Sequence, residues 1–285
     1  MYIDFEELKR IHDDSLKMKL SGYTLDKVME NRFRTSFYKK CGCYVIDLHN
    51  LELLIGRKIE CKNIQKSPII DSSNIRRDGD LAEFVGIMLG DGGLYLEKYK
   101  MEISLNHVDE LEYISYVYLL IKKLFNINPK LLKRKGKDGK LRIYNKSIFY
   151  IMKEIGIVDG DKVKNQVSVP DWIKKDLVLM TRCLCGLLDT DGCIYIKKQS
   201  NTNETIAINF SNRSIPLLND FIYMCNNIGI NTSKISNGNV HIISKENVRS
   251  FLEKVNPFKW RLMLDKNPNI SSKLEYKNIK SNIDC

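Results

Sequence analysis

Between Phe84 and Gly92 the chain reads FVGIMLGDG, a run of apolar and small residues closed by an acid and a glycine. Strand-like alternation begins at once in LYLEK. The same layout returns in LCGLLDTDG at Leu184–Gly192, followed by IYIKK, with Gly86, Asp91 and Gly92 matched at a spacing of 100 by Gly186, Asp191 and Gly192. Each stretch predicts a helix, amphipathic in the second copy, that carries a carboxylate at its own C-terminus. Gly92 and Gly192 then read as left-handed stop residues. The repeat extends beyond these motifs. Ile148, Ile151, Met152 and Ile155 have the i, i+3, i+4, i+7 spacing of a buried helix face, and Val248, Phe251, Leu252 and Val255 repeat it. Short strands, LRIY and VHII, precede these faces. Further helices are expected at Glu110–Phe125 and Ile215–Ile228, each entered from a strand, EISLNHVDE or IAINFSNRS. Each half therefore reads helix, two strands, helix, two strands, helix: an α+β unit with an antiparallel sheet, written twice in tandem.

This periodicity divides the chain into a helical N-terminal region at 1–78, a first repeat at 79–176 and a second at 177–285. In the N-terminal region Phe5–Leu20 and Leu25–Arg34 read as helices. Arg32, Arg34, Thr35, Ser36, Tyr38, Lys39 and Lys40 have the composition of a helix-turn-helix recognition helix, with a helical packing extension as the other reading. Gly86 and Gly90 in one motif, and Gly186 and Thr190 in the other, are small residues four apart. They are expected to let the two motif helices pack closely and bring both C-termini together.

Composition narrows the class. With 285 residues and 43% hydrophobic content the chain can bury a core. No apolar run of about 18 residues appears and Met1–Gly22 lacks a signal-peptide pattern, so an intracellular protein without a membrane segment is expected. The eight cysteines (Cys41, Cys43, Cys61, Cys183, Cys185, Cys193, Cys225 and Cys285) contain no C-x-x-C pair. Reduced, mostly buried thiols fit them better than a structural zinc site. The net charge of +11 points to an anionic partner. Its densest patch, KLLKRKGKDGKLR, carries Lys130, Lys133, Arg134, Lys135, Lys137, Lys140 and Arg142, either as a solvated loop or as phosphate contacts. Lys197, Lys198 and Arg213 are the corresponding candidates in the second repeat.

Asp91 and Asp191, each at the negative end of a helix dipole, would repel one another unless a cation sits between them or one is protonated. Carboxylates and backbone carbonyls, here of Gly90 and Thr190, are hard ligands suited to Mg²⁺ or Mn²⁺. A basic protein with such a pair suits metal-assisted phosphodiester hydrolysis.

LCGLLDTDG resembles the LAGLIDADG motif of homing endonucleases, and FVGIMLGDG is a looser copy. The segment GDKVKNQVSVPDWI at Gly160–Ile173 is similar to that family too, so the resemblance covers about residues 80–270. It implies a single-chain, two-motif endonuclease with pseudo-two-fold symmetry and saddle-shaped sheets laid along the DNA major groove. Asp91 and Asp191 would bind divalent metal, and a lysine late in each repeat would sit near the attacking water. By position these are Lys162 and Lys259. The sixth motif position, Leu89 in one copy and Asp189 in the other, departs from the pattern, which makes Asp189 structural or solvent-facing. The chain ends in NIDC without the nucleophile and His-Asn ends of an intein, so a freestanding or intron-encoded protein is expected. The expected partner is a long, non-palindromic DNA duplex bound by a monomer. An RNA maturase that assists a host intron, or a catalytically inactive DNA-binding regulator, would carry a similar basic surface.

Overall fold

The computed structural model describes residues 2–4, 43–45, 70, 75–134, 136–200, 203–267 and 270. The chain divides into two compact units, Met1–Pro68 and Ile69–Cys285. In the first unit, strands β1 (Tyr2–Asp4) and β2 (Cys43–Val45) pair antiparallel, with Tyr2 opposite Val45. The helices expected at Phe5–Leu20 and Leu25–Arg34, and the Arg32–Lys40 cluster, lie outside the described residues.

The second unit is α+β. Helix α1 (Gly79–Gly90) starts where the Asp78 carboxylate accepts the Leu81 N–H at 3.0 Å. It runs into β3 (Gly92–Tyr95), β4 (Lys100–Asn106), α2 (Leu111–Phe125), β5 (Lys130–Lys133), β6 (Asp138–Tyr144) and α3 (Lys146–Glu154). This is the expected order. The sheet is antiparallel throughout, β3-β4-β6-β5. Met101, Ile103, Leu105, Leu141 and Ile143 alternate onto its buried face.

The second half repeats the pattern from α4 (Leu177–Asp191) through β7 (Gly192–Ser200), β8 (Asn203–Ser211), α5 (Ile215–Asn227), β9 (Asn239–Ile242) and α6 (Lys245–Val255) to α7 (Phe258–Lys266). Its sheet has three strands among the described residues, β7-β8-β9, one fewer than expected. Ser233 explains the missing one. Its N–H donates to the His241 carbonyl at 2.8 Å, but the His241 N–H returns to the Ser233 hydroxyl, not its carbonyl, so the ladder stops after one rung. The two helix faces read from the sequence, Ile148/Ile151/Met152/Ile155 and Val248/Phe251/Leu252/Val255, are buried as expected.

Helices α1 and α4 form the centre. Residues 81–90 of α1 and 183–189 of α4 are buried, so the second motif helix is enclosed on all sides along these residues and is not amphipathic as its sequence suggested. Glycine permits the crossing. A Cβ on Gly86 would lie 2.4 Å from the Cys183 carbonyl oxygen, and one on Gly186 would lie 2.2 Å from that of Glu83. The contact is reciprocal, as pseudo-two-fold symmetry requires. One turn later a Gly90 Cβ would meet the Thr190 hydroxyl at 1.9 Å.

The motif-ending glycines act differently from the sequence expectation. Gly192 has φ −99° and ψ 159°, and neither it nor Gly92 has a positive φ. The chain passes straight from helix to strand, bringing it back over the last turn. A Cβ on Gly92 would lie 2.5 Å from the Met88 Cα, and one on Gly192 would lie 2.4 Å from the Leu188 carbonyl oxygen. Lack of a side chain, not left-handed geometry, is what these positions need.

Gly186→Ala is therefore expected to destabilise the fold by about 1–3 kcal/mol through overpacking against backbone that cannot step aside. Urea unfolding of the two proteins measures this, and equal midpoints would contradict the close crossing.

Candidate active site

The two motif acids sit where the helix crossing delivers them. The Asp91 N–H caps α1 on the Ile87 carbonyl at 3.1 Å, and its own carbonyl receives the Ser104 N–H at 3.0 Å. Asp191 is the last residue of α4. Burial, then the charge of Asp191, raises the Asp91 carboxyl to about 6, against the pull of Lys259 and Lys162. Asp191 is raised too, by burial, while a 2.6 Å hydrogen bond from the Asn212 amide and the same two lysines draw it down. The acids thus share a partly desolvated space and feel both cations.

Asn212 has no place in the motif reading. Gly92 pairs with Ile103 and Gly192 pairs with Phe210, so two residues further along, Leu105 and Asn212 are structural counterparts. Leu105 is buried and offers no donor. The signal was present in the sequence: Ile206, Ile208 and Phe210 alternate inward, and the next inward position is an amide.

The two lysines arrive by different routes. Lys162 stands on a turn shaped by Asp161, whose carboxylate accepts the N–H groups of Val163 at 2.9 Å and Lys164 at 3.1 Å. Its half-buried ammonium donates to the Leu89 carbonyl at 3.0 Å and to that of Gly90, the last carbonyls of α1. Burial lowers its pKa, against the attraction of Asp191 and Asp91. Lys164 is exposed on the same turn. Lys259 comes from the first turn of α7. Its ammonium pairs with Glu110 at 2.8 Å and lies 5.4 Å from the centre of the Tyr113 ring. Phe258 beside it stacks on Tyr116, ring centres 4.5 Å apart.

Asp189 holds that helix in place. It is 1% exposed, and its two oxygens accept the N–H groups of Phe258 and Lys259, each at 2.8 Å. The extra acid of the second motif is therefore structural and faces the interior. Burial raises it to about 6, which the two amides oppose. With Glu83 and Cys185 it forms a buried cluster whose ligand atoms lie within 4.8 Å of one another. Those groups are already occupied: Arg182 pairs with Glu83, Tyr116 donates to it, and the Cys185 thiol points at Asp189 at 3.6 Å.

The basic candidates are dispersed. Lys130, Lys133 and Lys197 are exposed, Arg134 reaches Asp138 at 3.5 Å, and Lys137 pairs with Asp109 at 2.7 Å. Lys140 and Arg142 both bind Glu102. Lys135 and the side chain of Lys198 lie outside the described residues. Exposed Arg213 lines a cleft of about 660 Å³ together with Lys162, Asp191 and Asn212. Cys183, Cys185 and Cys225 are buried free thiols, whereas Cys193 is exposed. Among the described residues no helix is long and apolar enough to cross a membrane.

Residues 179–256 match a family model described as a LAGLIDADG-like domain. The replication factor C small subunit of Methanocaldococcus jannaschii is 27% identical over 254 residues, which is 80% of this chain and 14% of that protein. The tRNA-splicing ligase RtcB of Pyrococcus furiosus is 26% identical over 205 residues, 62% of this chain and 21% of that protein. The chain thus spans only a small part of the length of these relatives. Among solved structures, that of I-DmoI in complex with DNA and Mn is similar at 18% identity and a TM-score of 0.44, covering 62% of this chain and 96% of that one.

The Asp91 carboxyl, at about 6 in the fold against an ordinary 3.8, favours its neutral form when folded. Its contribution to stability is present below pH 4 and lost as pH rises through about 6. Without divalent metal, Asp91→Asn should stabilise the protein at pH 8, by up to about 3 kcal/mol, and leave it unchanged at pH 4. Denaturation curves at the two pH values test this. Equal effects at both would mean the carboxylate is not under strain.

Proposed function

We propose, from the match of residues 179–256 to a LAGLIDADG-like domain, that the chain is a metal-dependent endonuclease that cuts both strands of a long, non-palindromic DNA duplex as a monomer. The observation that carries the proposal is the pair Asp91 and Asp191, desolvated together at two helix ends with Lys162 and Lys259 acting on both. The donor set fits Mg²⁺ or Mn²⁺: two carboxylates held above their usual range by burial, with the Thr190 carbonyl at one helix end. The Gly90 carbonyl is shared with Lys162. Asp91 and Asp191 would hold such an ion, which would supply Lewis-acid and water-activating chemistry for phosphodiester hydrolysis.

The chain's own groups supply the rest. A scissile phosphate brought to the acids meets the ammonium of Lys162 or Lys259, which offsets the negative charge that develops as water attacks and the deoxyribose oxygen leaves. Asn212 donates to one Asp191 oxygen, and both residues line the cleft. The halves differ in lysine route, amide donor and strand number, which suits a target whose two half-sites differ.

Asp191→Asn should abolish cleavage in Mg²⁺ while binding stays near wild type, because a metal ligand and not a phosphate contact is removed. Lys162→Met and Lys259→Met should each slow cleavage about 10²-fold or more with little change in affinity. Comparable cleavage by Asp191→Asn would end the site assignment. Binding without cleavage by the unaltered chain would leave the regulator reading, and intron RNA splicing without DNA cleavage the maturase reading.

The division at 1–78, 79–176 and 177–285 assigns the chemistry to the two repeats and added affinity to the N-terminal region. A chain beginning at Ile69 should remain folded and cleave at raised concentration, with weaker binding. Its log affinity should fall less steeply with log salt, by about 0.9 for each phosphate that the shortened chain leaves unneutralised. An unchanged salt slope with a large drop in melting temperature would instead make that region a packing extension.

A further inference from the structure

The outward face of the first sheet carries a preformed charge cluster that the cleavage chemistry does not use. Glu102, on β4, is 5% exposed although it lies on the face opposite Met101, Ile103 and Leu141. One of its oxygens accepts from Lys140 at 2.8 Å, and the other takes Arg142 Nε at 3.0 Å and its terminal nitrogen at 2.8 Å. Lys100 reaches the same oxygen at 3.2 Å and lies 3.8 Å from the centre of the Tyr95 ring. Burial alone would raise this carboxyl, but the lysine hydrogen bonds bring it down to about 2, so it is ionised at any working pH. Three cations around one anion leave two positive charges on a sheet face, held by a fixed network.

Arg142 is the member that can offer two donors from one planar group. Three of its five N–H donors are engaged, two by Glu102 and one by the Tyr144 hydroxyl at 3.2 Å. One N–H remains on each terminal nitrogen. That pair matches the O6 and N7 acceptors of guanine in the major groove. A guanidinium free to rotate loses conformational entropy on binding, whereas one clamped by a buried carboxylate has already lost it. On the second sheet the outward positions Ala207, Asn209 and His241 carry a methyl, an amide and an imidazole group, with no such clamp among the described residues.

We propose that Arg142 reads a guanine in the half-site under the first sheet and that Glu102 is its positioning residue, an inference that rests on the DNA-endonuclease reading above. The first half-site then has a required guanine with no counterpart contributed by the same place in the second.

The test is selection of bound duplexes from a randomised double-stranded DNA library by the full chain without divalent metal, followed by sequencing. The wild-type pool should hold guanine at one position of one half-site. Arg142→Gln should reduce that preference at least tenfold and leave the other positions unchanged, and Glu102→Gln should relax the same position alone. Should Arg142→Gln fail to fold by circular dichroism, Arg142→Lys keeps the charge but loses the fork and should give the same loss. A folded Arg142 variant that selects the wild-type sequence overturns this inference and leaves DNA recognition standing. No enriched sequence with the folded wild-type chain overturns both.

Discussion

The backbone-to-backbone contact of two helices at Gly86 and Gly186 sets the position of everything else in the second unit. Hydrophobic burial alone would let α1 and α4 pack at an ordinary interaxial distance, with side chains between them. Here a missing Cβ on each side lets carbonyls of one helix approach the other directly. The C-termini then converge, and with them two carboxylates that would otherwise stay apart. The fold thus spends part of its stability on holding like charges together in a partly desolvated space. Such local cost is a common mark of a working site.

The cations answer that cost unevenly. Lys162 is held by the last carbonyls of the first motif helix, so the helix dipole and the acids attract the same ammonium. Lys259 is held by Glu110 and an aromatic face, a balance in which one carboxylate competes with the motif acids for it. Asp191 also has an amide donor, where the counterpart of that donor beside Asp91 is Leu105. The backbone keeps a near two-fold symmetry that the hydrogen bonds break.

Much of this architecture was legible in the sequence, because tandem periodicity is a strong signal. The apolar faces at 148–155 and 248–255, the two motif helices and the element order of the first half followed from spacing. What failed had local causes. The fourth strand of the second sheet was lost to the side chain of Ser233, a competition between hydroxyl and backbone that an apolar count does not register. Gly92 and Gly192 were misread because a glycine at a helix end suggests a turn, whereas close chain reversal over the helix demands the same residue. Asn212 was missed since it ends an inward alternation of apolar residues, and its role shows only when the fold brings Asp191 beside it. The basic patch overstated free charge, as Glu102 on β4 and Asp109 in the turn after it consume part of that charge.

Asp189 gives the two halves different standing as modules. The carboxylate that replaces Leu89 of the first motif reaches across to the opening amides of α7, so the second motif helix is tied directly to the lysine-bearing helix. The first motif has no such acid, and its lysine is tied to it through the carbonyls of Leu89 and Gly90 instead. Exchanging half-domains between proteins of this architecture would therefore be an asymmetric operation. The first half would carry Lys162 together with the carbonyls that hold it, while the second would carry α7 but leave behind Glu110 and Tyr113, the groups that hold Lys259.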